Sequence, residues 1–376
     1  MFLALRELWF ARGRFVLMGT VVALIALLMT LLSGLSVGLA QDGVSGLQRI
    51  PATSFAFEQG VSTDSAFSRS VVGDAQVAAW QAQPGVLSAT PFGNTLANAR
   101  TDRGLEIDFA LFGVERGSFL DPDVATGSRL GDGNEIVISR TAADAGITVG
   151  DTVILEPSGT ELTVVGILAD QHTFGHVDVG YVPLRVWQEV RAGVRPGDVV
   201  PAHVYEEFTA VAVEADPASP PDLAAGDAAA GTTSLTREQS FAASPGYSAE
   251  TSTLSLIQVF LYGISALVIG AFFTVLTIQR RHEIAVLRAM GASSGYVLRD
   301  SLAQSAVLLV ASTAVGMALG LAGGAAIEST PMPFALEAGP IAGAAVALVV
   351  TGLIGAAAAG VRVVRVDPLA ALGAHR

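Results

Sequence analysis

Residues 15–41, FVLMGTVVALIALLMTLLSGLSVGLAQ, run for 27 positions without a charged side chain. A helix needs about 20 apolar residues to cross the hydrocarbon core, so the stretch reads as a membrane span with room for tilt. It is also far longer than the roughly 7–15-residue apolar core of a cleaved signal peptide, which predicts a retained helix. Three further uncharged stretches follow, 251–279, 301–327 and 338–361, each of 24 residues or more. They raise the hydrophobic content to 51%, above that of an ordinary soluble domain.

Arginine placement sets the predicted orientation. The chain has no lysine, and all 21 basic residues are arginine. Those outside 41–250 are Arg6, Arg12, Arg14, Arg280, Arg281, Arg288, Arg299, Arg362, Arg365 and Arg376. With the N-terminus inside and four spans, each falls in a cytoplasmic tail, in the loop between the second and third spans, or at its edge. The predicted layout is therefore a cytoplasmic amphipathic helix at 1–14, a span at 15–40, an extracytoplasmic domain at 41–250 and a span at 251–279. A cytoplasmic loop at 280–298, a span at 299–327, an outer loop at 328–339, a span at 340–361 and a cytoplasmic tail at 362–376 complete it. Phe2, Leu5, Leu8 and Trp9 share one face of the first segment, as a helix lying on the inner membrane surface requires. The expected location is the plasma membrane, with both termini in the cytoplasm.

Segment 41–250 carries 28 acidic residues against 11 arginines, a net of −17, which argues against nucleic acid as a partner. The absence of cysteine removes disulfides, zinc thiolates and thiol catalysis. Turn-rich sequence opens the segment, and Val71–Trp80 has the pattern of a helix. From Leu105 the pattern turns to strands: IDFALFGVE, NEIVISRTAADAGITVGDTVILEP with a short helix at Arg140–Ala145, ELTVVGILAD, GYVPLRVW and FTAVAVE. This predicts an α+β domain between the first two spans of an α-helical membrane protein. Residues 215–235, rich in Ala, Pro, Gly and Asp, read as a loop. Gly316, Gly320 and Gly324, and Gly352, Ala356 and Gly360, form small-residue ridges that predict close packing of the last two spans on each other.

The loop QRRHEIAVLRAMGAS, residues 279–293, places Ile284, Leu287 and Arg288 at helical spacing, with Gly291 to stop the helix and Ser293 or Ser294 to cap the next. Such a helix can dock in a groove of a cytoplasmic partner, or it can be a solvated turn. A P-loop needs a lysine at the phosphates, and there is none, so ATP hydrolysis by that device belongs to a separate subunit. No Ser/His/Asp cluster stands out, and the chain is not expected to be an enzyme.

The segment RxxEIAVLRAMGAS and the tail VRVVRVDPLAALGAHR resemble the coupling helix and tail of FtsX/MacB-type permeases of ABC transporters. FGVERGSFLDPDVATG, GNEIVISRTAADAGITVGDTV and TVVGILAD resemble that family's periplasmic core domain, so nearly the whole chain is covered. The resemblance implies a permease working as two copies with two ABC ATPase subunits in membrane lipid, with Glu283, Leu287, Arg288 and Met290 receiving the ATPase stroke. ATP would bind the partner, and no intrinsic cofactor is implied.

The N-terminal sequence, with a large outer domain that lacks a helical hairpin, is most similar to haem-efflux permeases of the HrtB type. That implies haem as transported ligand, bound in an apolar mouth where the first two spans meet the outer leaflet. Methionine and carboxylate are among the side chains that can ligate haem iron. Met29 and Glu250 are the candidate iron ligands, with Ser33 on the Met29 face and Tyr247 and Gln258 flanking Glu250. Packing, an interfacial anchor and a solvated helix start are the plain alternatives for these residues. His172 and His176 would share a metal only on a helix, and Gly175 with VDVGYV points instead to a loop entering a strand. Two other functions fit the same layout: an FtsX-like transducer controlling an extracellular hydrolase, or export of a lipid, lipopeptide or drug.

Overall fold

The computed structural model describes residues 12–279, 290, 293–330 and 332–364. They form two units, one of residues 40–250 and one of the residues before and after it. Four helices are long and apolar enough to cross a membrane, spanning Phe15–Arg49, Tyr247–Val275, Leu298–Glu328 and Ala338–Gly360. The chain is therefore a multi-pass membrane protein with an α+β unit following its first helix.

Helix α1 covers Arg12–Arg49. The expected turn-rich opening of the domain is thus helical through Arg49, because no helix breaker intervenes before Pro51. Leu47, in the last turns, is fully buried in the core of the 40–250 unit, so tertiary packing holds this extension.

That unit contains β1 (Ser54–Glu58), α2 (Asp74–Gln81), β2 (Val86–Thr101), β3 (Glu106–Val114), β4 (Thr126–Gly127) and β5 (Glu135–Ile138). It continues with α3 (Arg140–Asp144), β6 (Thr152–Glu156), β7 (Glu161–Ile167), β8 (Thr173–Phe174), β9 (Val177–Pro183) and α4 (Leu184–Arg191). It also contains β10 (Ala210–Ala215), α5 (Leu223–Ala230) and β11 (Thr232–Thr236). The strands run in the order β11-β1-β10-β2-β3-β9-β5-β7-β4, with β6 joined to β2 and β7 and β8 to β9.

β1 and β2 lie in the stretch whose sequence predicts turns and a helix. In β2, Pro91 and Gly93 look like turn residues, yet they stand where the strand changes partner: Val86–Phe92 pairs with β10, and Gly93–Arg100 with β3. Gly93 pairs directly with Gly113 on β3, and a Cβ on either would overlap the side chain of Trp187. The PLRVW end of the expected strand GYVPLRVW is instead helix α4, starting after Pro183. The helix sets Val186 and Trp187 into the sheet, with Val190 packed beside them.

Residues 215–235 are likewise more ordered than their composition suggests. Asp222 caps α5 by accepting from Ala224 N at 3.0 Å and Ala225 N at 3.3 Å, and left-handed Gly231 ends it. One sheet face buries Phe55, Phe67, Phe92, Phe112 and Phe174, with successive ring centroids 5.0–6.0 Å apart and mostly edge to face. The other buries Trp80, Phe109, Ile136 and Trp187.

The membrane unit contains most of α1 and α6 (Tyr247–Gln279), with α7 (Ser294–Glu328) and α8 (Ala338–Val364). Ser293 caps α7, accepting from Tyr296 N at 3.2 Å. The last two spans pack on each other as expected, yet the ridge glycines of α7 do not make that contact. Gly316 and Gly320 face α1, where a Cβ would overlap Ala23 and press on Thr30 at 2.7 Å, rather than α8. Gly352 does meet α7, at Leu309, but it also meets Ile269 of α6, and Gly355 abuts the Ala266 carbonyl of α6. The fourfold spacing fixes that a ridge exists; shape complementarity chooses its partner. Leu256, Val259, Phe260, Ile264 and Leu267 leave an exposed apolar face on α6, as a helix in lipid can.

Candidate functional site

Within the 40–250 unit, the last turns of α1 carry Asp42, Ser45, Gly46 and Arg49 at i, i+3, i+4 and i+7, one stripe of a helix. That stripe faces the β8–β9 hairpin. Ser45 Oγ lies 2.7 Å from Thr173 Oγ1 and accepts from Thr173 N at 3.0 Å. A Cβ on Gly46 would press on Val179 at 2.8 Å, so glycine here lets the hairpin close on the helix. Arg49 pairs with Asp170 at 2.8 Å. Gly175 N donates to Gly43 O at 2.9 Å and to Ser244 Oγ at 3.2 Å.

The hairpin turn is two residues, Gly175 (φ 60°) and His176 (φ 65°), both left-handed as a type I′ turn requires. Among side chains other than glycine, histidine is one of the few that tolerate this region. From this tip the His176 ring reaches two carboxylates: Nδ1 lies 2.9 Å from Asp42 Oδ2, and Nε2 lies 3.1 Å from Glu250 Oε2. Carboxylates only accept, so both contacts are filled as N–H donations when the ring carries its second proton. Gln171 Nε2 also donates to Asp42 Oδ1 at 3.2 Å. The three side chains are 25–39% exposed, so the bridge is open to solvent on one side.

His172 has a different environment. Its Nδ1 lies 3.1 Å from Tyr181 Oη, and its backbone N donates to Ser139 Oγ. Burial holds its pKa down to about 4, helped by the Arg49 charge and opposed by Asp170. Burial also raises Tyr181. Asp178, bonded to Thr141, is raised by burial against its hydrogen bonds. The two histidines lie on either side of β8 and take separate partners, in the strand-entering loop that the sequence predicts. Among the described residues no group of three His, Cys, Asp or Glu is arranged to hold a metal ion.

The structure brings Glu250 and Tyr247 into one neighbourhood. Glu250 lies in the first turn of α6. The Tyr247 ring stacks edge-on with Phe241 at 6.2 Å and would touch a Cβ on Gly43 at 3.6 Å. In the membrane unit, Met29 and Ser33 are buried, 2% and 3% exposed, so neither presents a free ligand atom in this conformation. Gln258 is half-buried on α6. Of the coupling residues, Met290 stands exposed in a turn, and Glu283, Leu287 and Arg288 lie outside the described residues. Asp42 and Ser45 are functional positions that do not stand out in the sequence; their signal is the helical spacing with Gly46 and Arg49, which lies beyond the expected end of the first span at 40.

A family model described as MacB-like periplasmic core domain matches residues 17–230, and one described as FtsX-like permease C-terminal matches 255–368. A protein of Staphylococcus epidermidis named as a hemin transport system permease, HrtB, is 24% identical over 374 residues, 99% of each chain. An uncharacterized ABC transporter permease of Mycobacterium tuberculosis is 23% identical over 378 residues, again 99% of each. The periplasmic region of MacB from Actinobacillus actinomycetemcomitans is similar at 13% identity and a TM-score of 0.37, over 51% of this chain and 92% of that one.

Proposed function

The chain belongs to the family of ABC transporter permeases that carry a MacB-like periplasmic core and an FtsX-like permease domain, and on that premise we propose that it is the membrane subunit of a haem efflux pump. The observation that carries the cargo is similarity along 99% of the chain to staphylococcal permeases named for hemin transport. Two copies work with two ATPase subunits, and both termini face the cytoplasm, where the arginines concentrate. Closure of the ATPase pair pushes on Glu283–Met290. Haem enters laterally from the outer leaflet, is held at the half-exposed Glu250 beside Tyr247 and Gln258, and is released outward. Met29 joins as a second iron ligand once α1 shifts enough to uncover it and Ser33.

Haemin added to the purified protein should give a saturable Soret band that weakens in Glu250→Ala and further in Met29→Ala/Glu250→Ala. Saturable binding unaffected by either change would reject these ligands, and no binding would reject the cargo. Charge reversal of Glu283 and Arg288 together should leave ATP hydrolysis running while export stops; unchanged export would remove the coupling role.

A further inference from the structure

The Glu250 carboxylate that would take the cargo is already engaged by His176. We propose that His176 is a bolt that holds Glu250 closed against Asp42, and that cargo binds by displacing it. The inference rests on the reading of Glu250 as a cargo ligand.

Three observations support it. The tip is built for histidine: Asn, Asp and His all tolerate a left-handed residue, but only His carries nitrogens on opposite sides of a ring, able to meet carboxylates from two directions. The bolt also has a fixed mounting. On the α1 side the hairpin is tied by Gly175 to Gly43, by Thr173 to Ser45 and by Arg49 to Asp170, none of which involves the His176 ring. The free end is the more exposed one: the Glu250 side chain is 39% exposed against 25% for Asp42. The hairpin is thus anchored to α1 and, through Gly175 N, to Ser244 Oγ ahead of α6, and its ring reaches on to the first turn of α6.

In the displacement step Glu250 Oε2 would exchange its hydrogen bond from His176 Nε2 for a bond to the haemin iron; the axial water or hydroxide leaving the iron passes to solvent, and a water takes the place of the carboxylate at Nε2. His176 then acts as a positioning residue for the ligand, competing with cargo instead of touching it.

The sign of the effect separates this role from a merely structural one. Gly keeps the left-handed turn and removes the ring, whereas Asn keeps the turn and one donor. In the full-length protein, His176→Gly should bind haemin about tenfold more tightly, the order of one hydrogen bond to a charged group, with His176→Asn between it and wild type. Weaker or unchanged haemin binding in His176→Gly would overturn the bolt. If wild type binds no haemin, the cargo reading fails by itself, and amide hydrogen exchange then tests the bolt directly. Peptides covering 247–252 should exchange several-fold faster in His176→Gly than in wild type, and equal rates would overturn it.

Discussion

Two sets of glycines, one in each unit, make room for different neighbours. In the 40–250 unit, Gly93 and Gly113 clear a slot for the ring of Trp187, and Gly226 does the same for Trp80. In the membrane unit, Gly316 and Gly355 clear room for backbone carbonyls of neighbouring helices. In water the gain lies in removing a large apolar ring from solvent. In lipid no such gain exists, and close backbone approach supplies the contacts instead. One residue type therefore serves two kinds of close packing in the same chain.

The strongest way to break this contrast is Trp187→Ala. With glycines beneath it the slot cannot refill, so the 40–250 unit should lose about 3–5 kcal/mol, seen as an earlier denaturant midpoint by near-ultraviolet dichroism. A loss below about 1 kcal/mol would mean the slot is not a core contact.

Acid should separate the units next. His172 is held neutral to about 4, below the 6.5 of an exposed histidine, so between those values the unfolded chain binds more protons than the folded one. Stability of the 40–250 unit is present above about 6.5 and lost as pH falls towards about 4, by on the order of 3 kcal/mol. Asp178, whose folded carboxyl is raised, works in the opposite direction and trims this loss. Denaturation at neutral pH and near pH 4 should show the shift in this unit and not in the membrane unit, which has no histidine among its described residues. His172→Gln should flatten it.

Gly316→Leu sharpens the membrane half of the contrast. The added side chain meets the Ala23 backbone, and overpacking of this kind costs about 1–3 kcal/mol. Gly343, with nothing within 4 Å of its would-be Cβ, is the control, and its leucine variant should melt like wild type in detergent. The smallest effect expected is that of Asp222→Ala, which uncaps α5 for about 1 kcal/mol, read from the same denaturation curves.

The four spans and the α+β class were legible because charge is excluded from lipid and strands alternate. Ser293 as the cap of α7 was legible for a similarly local reason. What escaped depended on partners distant in sequence. Residues 41–49 are helical because Leu47 finds a core. Pro91 sits in a strand because β2 changes neighbours there. Residues 223–236 fold because Gly226 meets Trp80. Glu250 could be singled out as an ionisable group beside an apolar run, but its partner His176 is 74 residues away and nothing local announces it.

The place of β1 in the sheet sets a timetable. Ser54 pairs with Val213 and Thr236, so the first strand made waits for nearly the last. At about 5–20 residues per second, ribosomal synthesis leaves that strand without its neighbours for roughly 10–40 s. During this interval the aromatic strands around Phe55, Phe92 and Phe112 lack their cover, and pairings of such long reach are slow to form. Production of this protein is therefore most vulnerable midway through translation of the 40–250 unit, and slowing elongation there lengthens its exposure to aggregation and to proteases.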